Sequence, residues 1–98
     1  MFFKRPKVFA GDVDQVLREF LSQRLCNMRM IVIFDVTKRG DVRIYSNYPG
    51  RLLGKYGVDW DLLVAQLKLY AHARSVKLFP LYNYLLSDKD DNGDIIWV

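Results

Sequence analysis

The stretch MRMIVIFDVTKRGDVRIYSNYP, residues 28–49, predicts the centre of the fold, because it reads as two β-strands joined by a short polar turn. In the first strand, 28–36, apolar residues fall on both faces, which is typical of a strand in the middle of a sheet. The second strand, 42–47, alternates between apolar and polar side chains. We therefore expect its polar face, with Arg43 and Tyr45, to be solvated.

Two helices are predicted to flank this hairpin. The first covers residues 12–26, begins at the capping residue Asp12 and carries one apolar stripe at helical spacing. The second covers residues 59–74, begins at Asp59 and has a similar stripe. Because a helix with one apolar stripe must bury it against another element, both helices are expected to cover the sheet.

The rest of the chain adds two further strands to the prediction. Residues 76–86 read as a strand that Pro80 breaks or confines to an edge, since proline lacks the N–H that a central ladder needs. Residues 51–57 read as no more than a helical turn, and 95–98 as a last strand. The expected fold class is α+β with two layers: α-β-β-α-β-β order and a mostly antiparallel sheet of about four strands, with two helices packed on one face. An exposed strand edge would allow a homodimer by strand pairing.

Composition indicates one small domain over residues 1–98, with a basic and aromatic N-terminal tail at 1–10. Of the 98 residues, 51% are hydrophobic and 14% aromatic, which favours a packed core. The single cysteine excludes an intramolecular disulfide and favours a reduced, cytoplasmic setting. No apolar run approaches the roughly 18 residues of a membrane helix, so no membrane partner is expected.

The net charge of +4 is unevenly distributed. Lysine and arginine outnumber acidic residues in 1–58, whereas acidic residues are in excess in 59–98. This asymmetry is what an anionic partner would require, and it is equally compatible with ordinary solubilising charge. Both interpretations remain open at this point.

No constellation of residues predicts catalysis. Cys26 and His72 are the only residues of their types and fall near the ends of two different predicted helices, so they do not form a nucleophile–base pair. Asp35 and Asp41 flank the hairpin turn beside cationic residues, which indicates a solvated charged tip. We therefore predict that the protein is not an enzyme and needs no cofactor.

Two further patterns are weighed as ligand sites. The segment DKDDNGDI, residues 88–95, resembles the first eight positions of an EF-hand calcium loop, but it lacks the bidentate glutamate at the twelfth. A hairpin turn with at most weak cation binding is expected there. Gly50, Gly54 and Gly57 are spaced as chain breaks rather than as a strand-to-helix phosphate cradle.

The hairpin and the segment after it mix cations with aromatic rings, and these residues are the candidate binding site. Such a mixture suits phosphates and unstacked bases, and it is also common at protein interfaces and on plain solvated surface. The candidates are Lys38, Arg39, Arg43, Tyr45, Tyr48, Arg51, Lys55 and Tyr56.

The segment DVRIYSNYPGRLLGKY, residues 41–56, resembles the autoinducer-binding domains of LuxR-type regulators, in which a strand runs into Asn-Tyr-Pro and then a helix. Tyr56 matches the family's ligand-contacting tyrosine, whereas Leu52 stands in place of its tryptophan. The resemblance implies a two-layer α/β sensor-like shape.

The favoured interpretation is a small non-catalytic binding module, a cytoplasmic regulator or inhibitor of bacterial or phage type that acts by binding another protein. Nucleic-acid binding through the basic and aromatic hairpin face is the alternative, and a small-ligand sensor is the third hypothesis. The identity of the partner, the source and the oligomeric state remain open.

Overall fold

A computed structural model describes residues 7–24, 30–85 and 94–97. A single 3₁₀ turn, Lys55–Gly57, joins two of its helices. The elements in chain order are α1 Ala10–Arg24, β1 Ile31–Val36, β2 Asp41–Ser46, α2 Pro49–Leu53, α3 Val58–Tyr70, β3 Ser75–Pro80, α4 Leu81–Leu85 and β4 Asp94–Trp97.

The strands form a mixed sheet in the order β3-β2-β1-β4. β1 lies between β2 and β4 and pairs antiparallel with both, in agreement with its predicted central position. β2 and β3 are parallel, with Ile44 opposite Leu78. The expectation of a mostly antiparallel sheet missed this pair. A parallel neighbour needs a crossover, and α3 supplies it, because it returns the chain to the end of the sheet at which β2 began.

The core lies between one face of the sheet and helices α1 and α3. The α+β class and the two apolar helical stripes are therefore confirmed. Buried side chains come from α1, from the inward-facing positions of β1 and β2, and from α2 and α3. They include Val13, Leu17, Phe20, Leu21, Val32, Phe34, Val42, Ile44, Leu52, Leu63 and Leu67.

Helix α3 ends at Tyr70 rather than at the predicted residue 74. The N–H groups of Ala71 and Ala73 both donate to the carbonyl oxygen of Leu67, at 3.0 and 3.2 Å. His72 lies between them with φ 60°, in the left-handed region. The helix therefore closes in a tight turn, which a periodicity of apolar residues does not reveal.

The predicted strand 76–86 is instead a strand followed by a helix. β3 ends at Pro80, and the five-residue α4 begins at the next residue. β3 lies at the edge of the sheet, where its proline predicted it to be. The predicted order α-β-β-α-β-β is thus interrupted by α4 between the last two strands and by α2 before α3.

The remaining bounds differ from prediction by a few residues. α1 begins at Ala10 instead of residue 12, and β2 begins at Asp41 instead of residue 42. The predicted end of the first helix at residue 26, the start of the first strand at 28 and the calcium-loop-like turn at 88–93 lie outside the described residues.

Candidate nucleic-acid interface

The eight candidate binding residues do not form one surface. Lys38 and Arg39 lie exposed in the hairpin turn, at one end of β2. The candidates from Tyr48 to Tyr56 follow the other end of that strand. β2 has six residues, so the two groups are separated by about 20 Å of extended chain.

Arg43 and Tyr45 lie between these groups, on the sheet face opposite α1 and α3, and neither is fully exposed. Tyr45 is only 2% exposed, because its ring stacks on Phe79 at 5.4 Å between centroids and meets Tyr84 of α4 edge-on at 5.2 Å. Arg43 is half-buried, and its Nε donates to Oδ1 of Asp35 at 2.5 Å. The alternation of β2 was predicted correctly, but the expectation of a solvated face was wrong for Tyr45, because Phe79 and Tyr84 of α4 cover its ring. Arg43 remains partly exposed.

The hairpin turn is closed by Asp41, which is also hydrogen-bonded to β3. Ser75 Oγ donates to Asp41 Oδ1 at 2.7 Å, and Asp41 N–H donates to Thr37 Oγ1 at 3.0 Å. The hydrogen bond from Ser75 is the largest influence that lowers the pKa of Asp41; partial desolvation opposes it, and the charges of Arg74 and Lys77 assist it. Asp41, Ser75 and Thr37 therefore stabilise the hairpin turn, and this structural role accounts for them without a ligand.

At the other end of β2, two hydrogen bonds direct the chain into α2. Ser46 Oγ accepts from Tyr48 N–H at 3.0 Å, and Asn47 Oδ1 accepts from Ile31 N–H at 3.0 Å. Helix α2 then starts with a proline, whose fixed φ suits a first helical turn. Leu52, 1% exposed, anchors the helix in the core.

The four residues Gly54-Lys55-Tyr56-Gly57, here called the GKYG loop, connect α2 to α3 in a backbone conformation that requires glycine. Gly54 has φ 72° and ψ −175°, and Gly57 has φ 74° and ψ 10°. A Cβ added to Gly54 would lie 2.7 Å from the Cβ of Asp59. The loop is therefore packed against the first turn of α3 on one side and open on the other.

The GKYG loop presents its two central side chains to solvent. Tyr56 is 90% exposed, and Lys55 Nζ lies 5.5 Å from the centroid of its ring. Tyr56 also has φ 58°, a left-handed conformation that is strained for a residue with a large side chain. Residues in such conformations are enriched at ligand-binding and switch sites, and they also occur where a helix ends, as at His72.

Helix α3 begins directly behind the loop. Its N-cap is Gly57, and no side chain caps it. The N–H groups of a first helical turn have no intrahelical partner, so they favour an anion in front of them. Asp59 and Asp61 stand in this turn, and the carboxylate of Asp59 lies against Gly54, on the inner side of the loop.

The sequence prediction includes Lys55 and Tyr56 among its candidates and interprets Gly54 and Gly57 as chain breaks, and these glycines do end α2 and precede α3. It gives no weight to their Gly-x-x-Gly spacing between the two helices. That spacing was the available signal, since a pair of glycines three apart allows both ends of a loop to take positive φ.

Comparison with known proteins relates the chain to a ribosomal protein. It is 41% identical over 64 residues to small ribosomal subunit protein uS3 of Ralstonia pickettii and of Ralstonia nicotianae, and 39% identical to that of Cupriavidus metallidurans. Each match covers 61% of this chain and 24% of the relative. The chain thus spans about a quarter of the length of the relatives that it matches. No family model and no solved structure matches.

These matches include the GKYG loop. A continuous match over 61% of a 98-residue chain contains its middle wherever it begins, because the unmatched remainder does not reach residues 54–57 from either end. The relatives are ribosomal proteins rather than LuxR-type regulators, and their name is not that of an enzyme, which agrees with the non-catalytic interpretation.

Two other expectations can be compared with the described residues. No helix among them is long and apolar enough to cross a membrane.

A cleft of about 270 Å³ lies between α1 and α3, where Asp12, Glu19 and Tyr70 are among the lining residues. It is not beside Tyr56, where the small-ligand hypothesis would require a pocket.

Proposed function

We propose that this chain binds single-stranded RNA and that the GKYG loop holds the RNA backbone. The observation that carries the proposal is the loop itself: two glycines with positive φ, three residues apart, between two helices. In KH modules a Gly-x-x-Gly loop in this role clamps the backbone of about four nucleotides. The loop of this chain has that pattern in a domain whose helices pack on a mixed four-stranded sheet.

The glycines matter because they give a phosphate access to the backbone of the GKYG loop. A phosphate must come close to backbone N–H groups to be held by them, and glycine leaves no Cβ in its way. On the open side of the loop, Lys55 supplies a positive charge for a phosphate oxygen. The exposed ring of Tyr56 offers a surface on which a base can stack.

The relatives support RNA over the other partners considered. Their name places them in the small ribosomal subunit, a particle that contains RNA. The favoured expectation, a regulator or inhibitor that binds another protein, has no comparable support, whereas the nucleic-acid alternative does. The site proposed here is narrower than the one predicted from sequence, because Arg43 and Tyr45 are engaged within the fold.

A matched pair of charge reversals tests the proposal. Fluorescence anisotropy of a labelled single-stranded RNA is measured with the unaltered protein, with Lys55→Asp and with Lys38→Asp. Both lysines are exposed, and both substitutions change the net charge equally. We expect Lys55→Asp to weaken binding by about tenfold and to reduce the salt slope by about 0.7, the value for one phosphate contact on a single strand.

The ring is tested separately. Tyr56→Ala should weaken binding by about five- to 150-fold if a base stacks on it. Tyr82→Ala removes a ring that is 62% exposed on α4 and should have no effect. The proposal is wrong if the unaltered protein does not bind RNA, or if Lys38→Asp weakens binding as much as Lys55→Asp does.

A further inference from the structure

Helix α3 carries a second apolar stripe, on the side that faces solvent. Its buried side is formed by Leu63 and Leu67, both fully buried. The exposed stripe follows helical spacing along the whole helix and includes side chains that are 41% to 67% exposed. We call it the α3 stripe, and its members are Val58, Leu62, Ala65 and Leu69.

A helix on the surface of a small domain normally turns polar residues to water. A contiguous row of exposed apolar side chains indicates an interaction surface. A partner that binds the α3 stripe must match its length and the charges beside it. The order of residues in the stripe has an internal symmetry, and this symmetry indicates which partner fits.

The α3 stripe is palindromic. In an antiparallel pair of α3 helices centred between residues 63 and 64, Val58 lies level with Leu69 of the partner subunit, and Leu62 lies level with Ala65 of the partner subunit. Large residues at the ends and a small residue near the centre let the two helices approach closely. Such self-complementarity is the requirement for a two-fold symmetric interface, in which one patch meets its own copy.

The charges beside the stripe distinguish antiparallel from parallel pairing. Asp61 and Lys68 are both exposed and lie on the same flank of the stripe, at 100° per residue. In the antiparallel arrangement that flank meets the same flank of the partner subunit, and Asp61 comes within about 3 Å, along the axis, of the level of the partner subunit's Lys68. A parallel two-fold arrangement would instead bring opposite flanks together, so Asp61 would not meet the partner subunit's Lys68.

We propose that the α3 stripe is a homodimer interface, formed by antiparallel packing of α3 on α3 of a second copy of this chain. The interface is small, so the dimer is weak and depends on protein concentration. Each GKYG loop precedes the N-terminus of its α3, so the two loops lie at opposite ends of the helix pair and remain open. This arrangement differs from pairing through a strand edge, which the sequence had suggested.

Sedimentation equilibrium without RNA tests the proposal independently of RNA binding. The unaltered protein should show reversible dimerisation as its concentration is raised towards about 1 mM, the range of weak complexes. Leu69→Glu should raise the dimer dissociation constant by about tenfold or more, because it places a charge in a surface that dimerisation buries. Leu85→Glu introduces the same change at an exposed leucine of α4 and should leave dimerisation unchanged.

Charge exchange tests the antiparallel geometry. Asp61→Lys and Lys68→Asp, each alone, should weaken the dimer, and the double exchange should restore it, because the pair forms between subunits. Circular dichroism confirms that each variant is folded. The proposal is overturned if the unaltered protein stays monomeric up to that concentration, if Leu69→Glu and Leu85→Glu behave alike, or if the double exchange is no better than the single ones.

Discussion

Replacing each glycine of the GKYG loop by alanine should destabilise the fold by very different amounts. Gly54 has φ 72° and ψ −175°, a region that is essentially restricted to glycine and costs other residues about 1–3 kcal/mol. The new methyl group would also lie 2.7 Å from the Cβ of Asp59. Overlap with backbone-anchored atoms adds about 1–3 kcal/mol, so Gly54→Ala should cost about 2–6 kcal/mol in total.

Gly57→Ala provides the contrast. Gly57 has φ 74° and ψ 10°, in the ordinary left-handed region, and a Cβ there meets nothing within 4 Å. Only the conformational penalty of about 1–2 kcal/mol remains. Gly57→Asn should cost less than Gly57→Ala, because asparagine tolerates left-handed φ better than most residues.

The assay is urea denaturation followed by circular dichroism, with the free energy of unfolding compared at equal m-value. A domain of this size has a free energy of unfolding of about 5–15 kcal/mol. Gly54→Ala should therefore remove a large part of that stability, whereas Gly57→Ala should remain folded. The argument is refuted if Gly57→Ala costs as much as Gly54→Ala, since the contact with Asp59 would then have no energetic consequence.

Three further substitutions test the far side of the sheet and the hairpin turn. Arg43→Ala should lower stability by about 1–3 kcal/mol, because it leaves the nearly buried carboxylate of Asp35 without its partner; an unchanged urea midpoint would contradict this. Tyr45→Ala should cost about 3–5 kcal/mol, as for other large buried rings, whereas Tyr82→Ala at an exposed ring should stay within about 0.5 kcal/mol. Because the pKa of Asp41 is lowered in the fold, its contribution is present above its ordinary pKa and is lost as pH falls through the lowered value. Asp41→Asn should therefore flatten the acid side of the stability–pH profile, and a profile parallel to that of the unaltered protein would show that Asp41 is not responsible.

The sequence was informative where a structural property depends on neighbours along the chain. Helical spacing of apolar residues located α1 and α3, because residues three and four apart share a helix face. Apolar residues on both faces of β1 placed it in the centre of the sheet. Pro80 placed β3 at an edge through the missing N–H of a single residue.

For the candidate site, the sequence identified the residue types but not their arrangement. Lys55 and Tyr56 were recognised as a cation and a ring on one segment. The sequence also grouped them with Arg43 and Tyr45, because all four lie within one short stretch of chain.

Only the tertiary structure separates these residues, since their environments are made by distant parts of the chain. Tyr45 is buried because Phe79 and Tyr84, more than thirty positions later in the sequence, pack on its ring. The parallel pairing of β2 with β3 depends on the crossover through α3, which local periodicity does not specify. Gly54 is required because of its close contact with Asp59 and its positive φ. Both are set when α3 packs beside α2, so the sequence alone does not predict them.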